Sequence, residues 1–89
     1  MAEARLEIVN EKGLHARASA KFVEVVEGFD AKAHVSKDGT EVTGDSIMGL
    51  LMLFAARGSC IDVRTSGPQA QELMTALEQL VASRFGEES

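Results

Sequence analysis

Two short alternating runs, Lys32-Ala33-His34-Val35-Ser36 and Thr40-Glu41-Val42-Thr43, face each other across Asp38-Gly39. A two-residue type I′ turn requires positive φ at both central positions, and Asp-Gly is one of the few pairs that accept it at low cost. This stretch therefore predicts an antiparallel hairpin. An isolated hairpin is barely stable in water, so the rest of the chain must extend its sheet and cover it.

Two further segments alternate with period two. Ala4-Arg5-Leu6-Glu7-Ile8 predicts a first strand, and Cys60-Ile61-Asp62-Val63-Arg64-Thr65 a last one. Cys60 stands at the front of that apolar run, where a buried, inert thiol is expected. A single cysteine can form neither an internal disulfide nor a zinc site by itself. His34 falls opposite the Ala33/Val35 face and is expected to meet solvent.

Helical spacing fills the intervals. From Ala16 to Glu27, Ser19, Phe22, Val23 and Val26 recur three and four apart, with Gly28 as the stop. Ser46 to Arg57 predicts a second helix, with Ser46 as N-cap and Gly58 as terminator. Pro68 suits the first turn of a third, and Ser66 with Gln69 fits a capping box. Ala70, Leu73, Leu77, Leu80 and Val81 would be its buried face, and Gly86-Glu87-Glu88-Ser89 would fray. The order β-α-β-β-α-β-α predicts an α+β domain: a four-stranded antiparallel sheet with three helices on one face and water on the other.

Composition narrows what such a domain can do. At 89 residues it is one domain, without depth for an enclosed active site. A net charge of −5 argues against nucleic acid and anionic membranes. Trp and Tyr are absent, so no aromatic platform for RNA bases is available on the strands. No apolar run is long enough to span a bilayer. Met1-Ala2-Glu3-Ala4-Arg5 lacks the apolar core of a signal peptide, and a reduced, cytoplasmic location is expected.

The loop Gly13-Leu14-His15-Ala16-Arg17 places a histidine at the start of the first helix. The first N–H groups of a helix have no internal partner and lie at the positive end of its dipole, a favourable place for phosphate. A phosphoryl group on His15 could accept bonds there, including from the backbone N–H of Ala16. Arg17 could add a charge-assisted bond. Such a helix end contributes roughly 1–2 kcal/mol at most, loose enough for the group to be passed on.

The segment after Ser46 is too apolar for one buried face. Leu50, Leu53 and Phe54 are expected in the core. Ile47, Met48 and Leu51 are left as a surface for partners, with Lys21 of the first helix beside them.

Gly13-Leu14-His15-Ala16-Arg17-Ala18-Ser19 and Asp45-Ser46-Ile47-Met48-Gly49-Leu50, in this element order, resemble the HPr family of bacterial histidine phosphocarriers. The resemblance covers residues 4 to about 85. It implies an open-faced β-sandwich and a phosphoryl group carried on Nδ1 of His15, steadied by Arg17. The donor would be enzyme I, charged from phosphoenolpyruvate, and the acceptor a IIA-type domain. Ser46 matches a serine modified by HPr kinase/phosphorylase in many members, and the added charge of about −2 would weaken docking. Neither a cofactor nor a metal is implied, and the protein is expected to be a monomeric relay rather than a stand-alone enzyme. A regulatory binding module switched through Ser46 is the alternative.

Two departures from the family pattern stand out. Ala18 replaces a common proline, which should still permit the helix. Glu24 and Glu27 follow Lys21 where sugar-transport members often carry basic residues, which points to the nitrogen-related branch of the system.

Overall fold

The computed structural model describes residues 1–87. Strands β1 (Ala2–Glu7), β2 (Lys32–Lys37), β3 (Thr40–Thr43) and β4 (Cys60–Ser66) form one antiparallel sheet in the order β1-β4-β2-β3. Helices α1 (Ala16–Glu27), α2 (Ile47–Leu51) and α3 (Ala70–Ala82) cover one face. The hairpin turns as expected, with Asp38 at φ 50° and Gly39 at φ 84°.

Register explains the core. Leu6 stands opposite Ile61, Ala4 opposite Val63, and Val63 in turn opposite Val35, so the inward residues of three strands form continuous rows. Val42 continues the row from Val35 onto β3. Phe22, Val23 and Val26 of α1 and Leu73, Met74, Leu77 and Val81 of α3 close over them. Each such side chain contributes roughly 1.5–3 kcal/mol relative to leaving it in water. The outward residues are polar: Arg5 pairs with Asp62 at 3.0 Å and Arg64 with Glu41 at 3.5 Å, and His34 lies on this open face.

The structure corrects several expectations. Cys60 is exposed, because the alternation of β4 turns Ile61, Val63 and Thr65 inward and leaves Cys60 with Asp62 and Arg64 outside. No Ser66–Gln69 capping box forms, since Ser66 is still in β4. Gln69 instead pairs with Asp30: its N–H donates to the Asp30 carbonyl at 3.0 Å, and its Oε1 accepts from the Asp30 N–H at 2.7 Å. Gly28 does end α1 as expected, with a right-handed φ of −80°.

Helix α2 stops at Leu51 rather than running to Arg57. The residues beyond it are used by the first loop. Leu14 N–H donates to the Ala55 carbonyl, Gly58 N–H to the Ile8 carbonyl and Ile8 N–H to the Ser59 carbonyl, each at 2.8 Å. Turns and irregular backbone over residues 52–59 serve those bonds, and a helix continued to Arg57 cannot. Phe54 takes φ 50° at the bend and is 76% exposed, not core, whereas Leu50 and Leu53 are buried as expected.

The C-terminal end is not frayed up to Glu87. After α3, Arg84–Gly86 makes a single 3-10 turn with Arg84 at φ 59°, Phe85 at φ 56° and Gly86 at φ 78°. Left-handed backbone at a non-glycine residue costs on the order of 1 kcal/mol or more. Full burial of Phe85, and a bond from Lys21 Nζ to the Phe85 carbonyl at 2.6 Å, hold the turn against that cost. Glu88 and Ser89 of the expected frayed tail lie outside the described residues.

Candidate functional site

His15 is the N-cap of α1. Its backbone is extended (φ −79°, ψ −177°) while its carbonyl already accepts the first helical bond, from Ser19 N–H at 2.8 Å. The loop reaches this position through Gly13, whose φ of +67° suits glycine. A Cβ on Gly13 would also meet the Ala55 carbonyl oxygen at 2.5 Å, so the backbone of the first loop lies directly on the segment after α2.

The ring is oriented from both sides. Nδ1 accepts from Arg17 N–H at 3.3 Å and therefore faces the open end of the helix. Nε2 bonds the carboxylate of Glu87, delivered by the C-terminal turn. An acceptor role at Nδ1 and a carboxylate at Nε2 together select the tautomer with its proton on Nε2. Both partners are sheltered, with side-chain exposures of 27% for His15 and 18% for Glu87.

Glu87 is fixed in turn. Its other oxygen accepts from Asn10 Nδ2 at 3.2 Å, and the fully buried Asn10 also donates to the Gly13 carbonyl at 2.8 Å. The bond from His15 holds the Glu87 carboxyl below the usual carboxylate range. Partial burial opposes this, while Asn10 and the charge of Lys12 support it.

Lys12, Ala16, Arg17 and Lys21 complete a shallow open depression around His15 and Glu87. Arg17 and Ala16 are exposed at its edge. Lys21 lies between docking surface and scaffold, since its ammonium is already bonded to the Phe85 carbonyl. Lys12, Arg17 and Lys21 thus line the depression in which His15 caps the positive end of a twelve-residue helix. Such a place stabilises a dianionic group on Nδ1. Among the described residues, no group of three or more His, Cys, Asp or Glu is arranged to hold a metal ion, and no helix is long and apolar enough to cross a membrane.

Ser46 is the N-cap of α2, and its Oγ accepts from Gly49 N–H at 3.0 Å. Ile47 and Met48 are exposed beside it, while Leu51 is only half exposed. Met52 and Phe54 are exposed as well, at 57% and 76%, which sequence reasoning did not anticipate. Phe54 and His15 each stand one residue from the Leu14–Ala55 bond, so that backbone contact ties the segment after α2 to the histidine loop. Asn10 and Glu87 were also missed. Their partners lie 3 and 77 residues away along the chain, and no local pattern signals the second.

Comparison with known proteins supplies the lineage. Residues 2–83 match the family model described as PTS HPr component phosphorylation site. A phosphocarrier protein HPr of Cupriavidus necator is 48% identical over 80 residues, 90% of each chain. A phosphocarrier protein NPr of Escherichia coli is 42% identical over 84 residues, 93% of each. The crystal structure of HPr-C-His from Thermoanaerobacter tengcongensis superposes with a TM-score of 0.95 at 38% identity over the whole of both chains. With its open-faced sheet, its histidine-capped helix and these relatives, the chain belongs to the HPr family of phosphocarrier proteins.

Proposed function

We propose that this protein accepts a phosphoryl group on Nδ1 of His15 from phosphorylated enzyme I and donates it to a IIA-type domain. The observation that carries this reading is the direction of Nδ1. It points at the first N–H groups of α1, beside Arg17, where incoming phosphate oxygens find donors already in place. Arg17 supplies a charge-assisted bond and the Ala16 N–H a further donor. The depression is open, so the reaction is completed by groups of the partner, as befits a covalent relay.

The exposed residues Ile47, Met48, Met52 and Phe54 form the docking surface, with Leu51 and Lys21 at its margin. Ser46 is the regulatory site, a substrate for HPr kinase/phosphorylase. Its phosphorylation would set a charge of about −2 against that apolar surface and weaken docking. The protein acts in the cytoplasm without a cofactor, nucleic acid or membrane.

Relatives named HPr and NPr match at similar identity. The choice of the nitrogen-related branch rests on the exposed acidic residues Glu24 and Glu27 of α1. The protein works as a monomer; an HPr from Thermoanaerobacter tengcongensis has been solved as a dimer, so sedimentation of this chain is the direct check.

Incubation with phosphoenolpyruvate and enzyme I should yield one acid-labile phosphate that is lost in His15→Ala. Failure of the wild-type protein to accept phosphate sinks the reading and favours a regulatory binding module.

A further inference from the structure

The reaction proposed above uses only one side of the histidine ring. The other side is occupied by Glu87, and the way the chain brings it there is costly. Arg84, Phe85 and Gly86 all adopt left-handed backbone. Strained backbone of this kind persists only where its surroundings over-determine it, and it concentrates at functional sites. Phe85 is fully buried, Lys21 holds the Phe85 carbonyl, and Asn10 holds one Glu87 oxygen. The remaining oxygen is directed at Nε2 of His15.

We propose that Glu87 is the positioning residue for phosphoryl transfer, keeping the ring proton on Nε2 so that Nδ1 is the nucleophile in one direction and a neutral leaving group in the other. This rests on the reading of His15 as the phosphoryl acceptor.

The steps balance without another reagent. On acceptance, the donor's bond to phosphorus breaks while the Nδ1 lone pair forms the new N–P bond. The ring keeps its Nε2 proton and gains positive charge, which the Glu87 carboxylate faces directly. On donation, a nucleophile of the acceptor forms a new bond to phosphorus while the N–P electron pair returns to Nδ1 and the ring departs as neutral imidazole. Without a proton on Nε2 the leaving group would be imidazolate, a far stronger base and a poorer leaving group. A carboxylate on Nε2 therefore assists both half-reactions, as an orienting carboxylate does for other histidines that work through the opposite nitrogen. The carboxyl is held below its ordinary range chiefly by the His15 bond, so it is available as an anion in the folded protein at neutral pH.

The test combines kinetics with a signature of the ring proton. Phosphorylated enzyme I serves as donor, and wild type, Glu87→Ala and Glu87→Gln as acceptors. In wild type, nitrogen-edited NMR should show a downfield Nε2–H of His15 protected from exchange with water. Glu87→Ala should lose that resonance and transfer about tenfold more slowly in kcat with KM unchanged, the size of one charge-assisted hydrogen bond. Glu87→Gln keeps an acceptor without the charge and should recover to within about threefold of wild type, since neutral bonds are about half as strong. Wild-type kcat in Glu87→Ala, a change in KM alone, or a ring-proton signal unaffected by the substitution would overturn the assignment while leaving the carrier reading intact. Wild-type protein that takes no phosphate on His15 overturns both. Unchanged backbone spectra in the two variants confirm that the fold survives.

Discussion

The contact between Gly13 and Ala55 offers a quantitative test of how the site is built. In Gly13→Ala the new methyl would lie 2.5 Å from the Ala55 carbonyl oxygen and 2.9 Å from Ala56 Cα. Ordinary contact begins near 3.4 Å, so the two segments must part by roughly 0.9 Å. That movement takes Ala55 out of reach of Leu14 N–H, now bonded at 2.8 Å between buried residues. Losing a buried backbone bond costs about 1–3 kcal/mol. Alanine at φ +67° adds about 1–2 kcal/mol. The expected destabilisation is therefore roughly 2–5 kcal/mol. Gly39→Ala is the control, because it shares a positive φ (+84°) but has nothing within 4 Å, and should lose only about 1–2 kcal/mol. With Trp and Tyr absent, urea unfolding is followed by far-UV circular dichroism and extrapolated linearly. Equal losses in the two variants would refute the argument, since they would leave no cost for the contact between the loops.

Other expectations concern separate parts of the molecule. Ser46→Ala removes the bond to Gly49 N–H and should lower stability by about 1 kcal/mol, read by the same unfolding experiment. Cys60 should react with a water-soluble disulfide reagent in the native protein, at a rate near that of the unfolded chain. Because the folded Glu87 carboxyl titrates below its usual value of 4.5, its stabilising contribution is present above that pH and is lost as pH falls below it. The stability difference between wild type and Glu87→Gln should accordingly close on acidification, and a difference that persists in acid would contradict the His15 contact.

Sequence reasoning succeeded where structure is dictated over a few neighbouring residues. Helix α1 spans the predicted residues, and Asp38-Gly39 turns as its φ requirements demand. The placement of His15 at a helix start followed from the same local logic. Errors arose where distant segments compete for one backbone. The residues after Leu51 have the composition of a helix, but bonds to Ile8 and Leu14 draw them into turns and irregular backbone. Phe54 is consequently expelled to the surface. Ser66 looked like a cap until β4 claimed it. Cys60 was misassigned because its apolar neighbours obscured a parity that Ile61 and Val63 set. Glu87 lay beyond local reasoning altogether, since nothing near it in sequence indicates a partner 72 residues earlier.

The pairing of β1 with β4 also governs when the site comes into being. Ala2 stands opposite Thr65, so the first strand made must wait for one of the last before it can be zipped. Closing so wide a loop slows folding relative to local helix formation. The His15 ring waits longer still, because its carboxylate partner is Glu87, in the final turn of the described chain. A chain that stops short of β4 and Glu87 lacks both the partner of β1 and the carboxylate that bonds the ring. The Nε2 contact of His15 is thus among the last features of the fold to be set, after the sheet beneath its loop has closed.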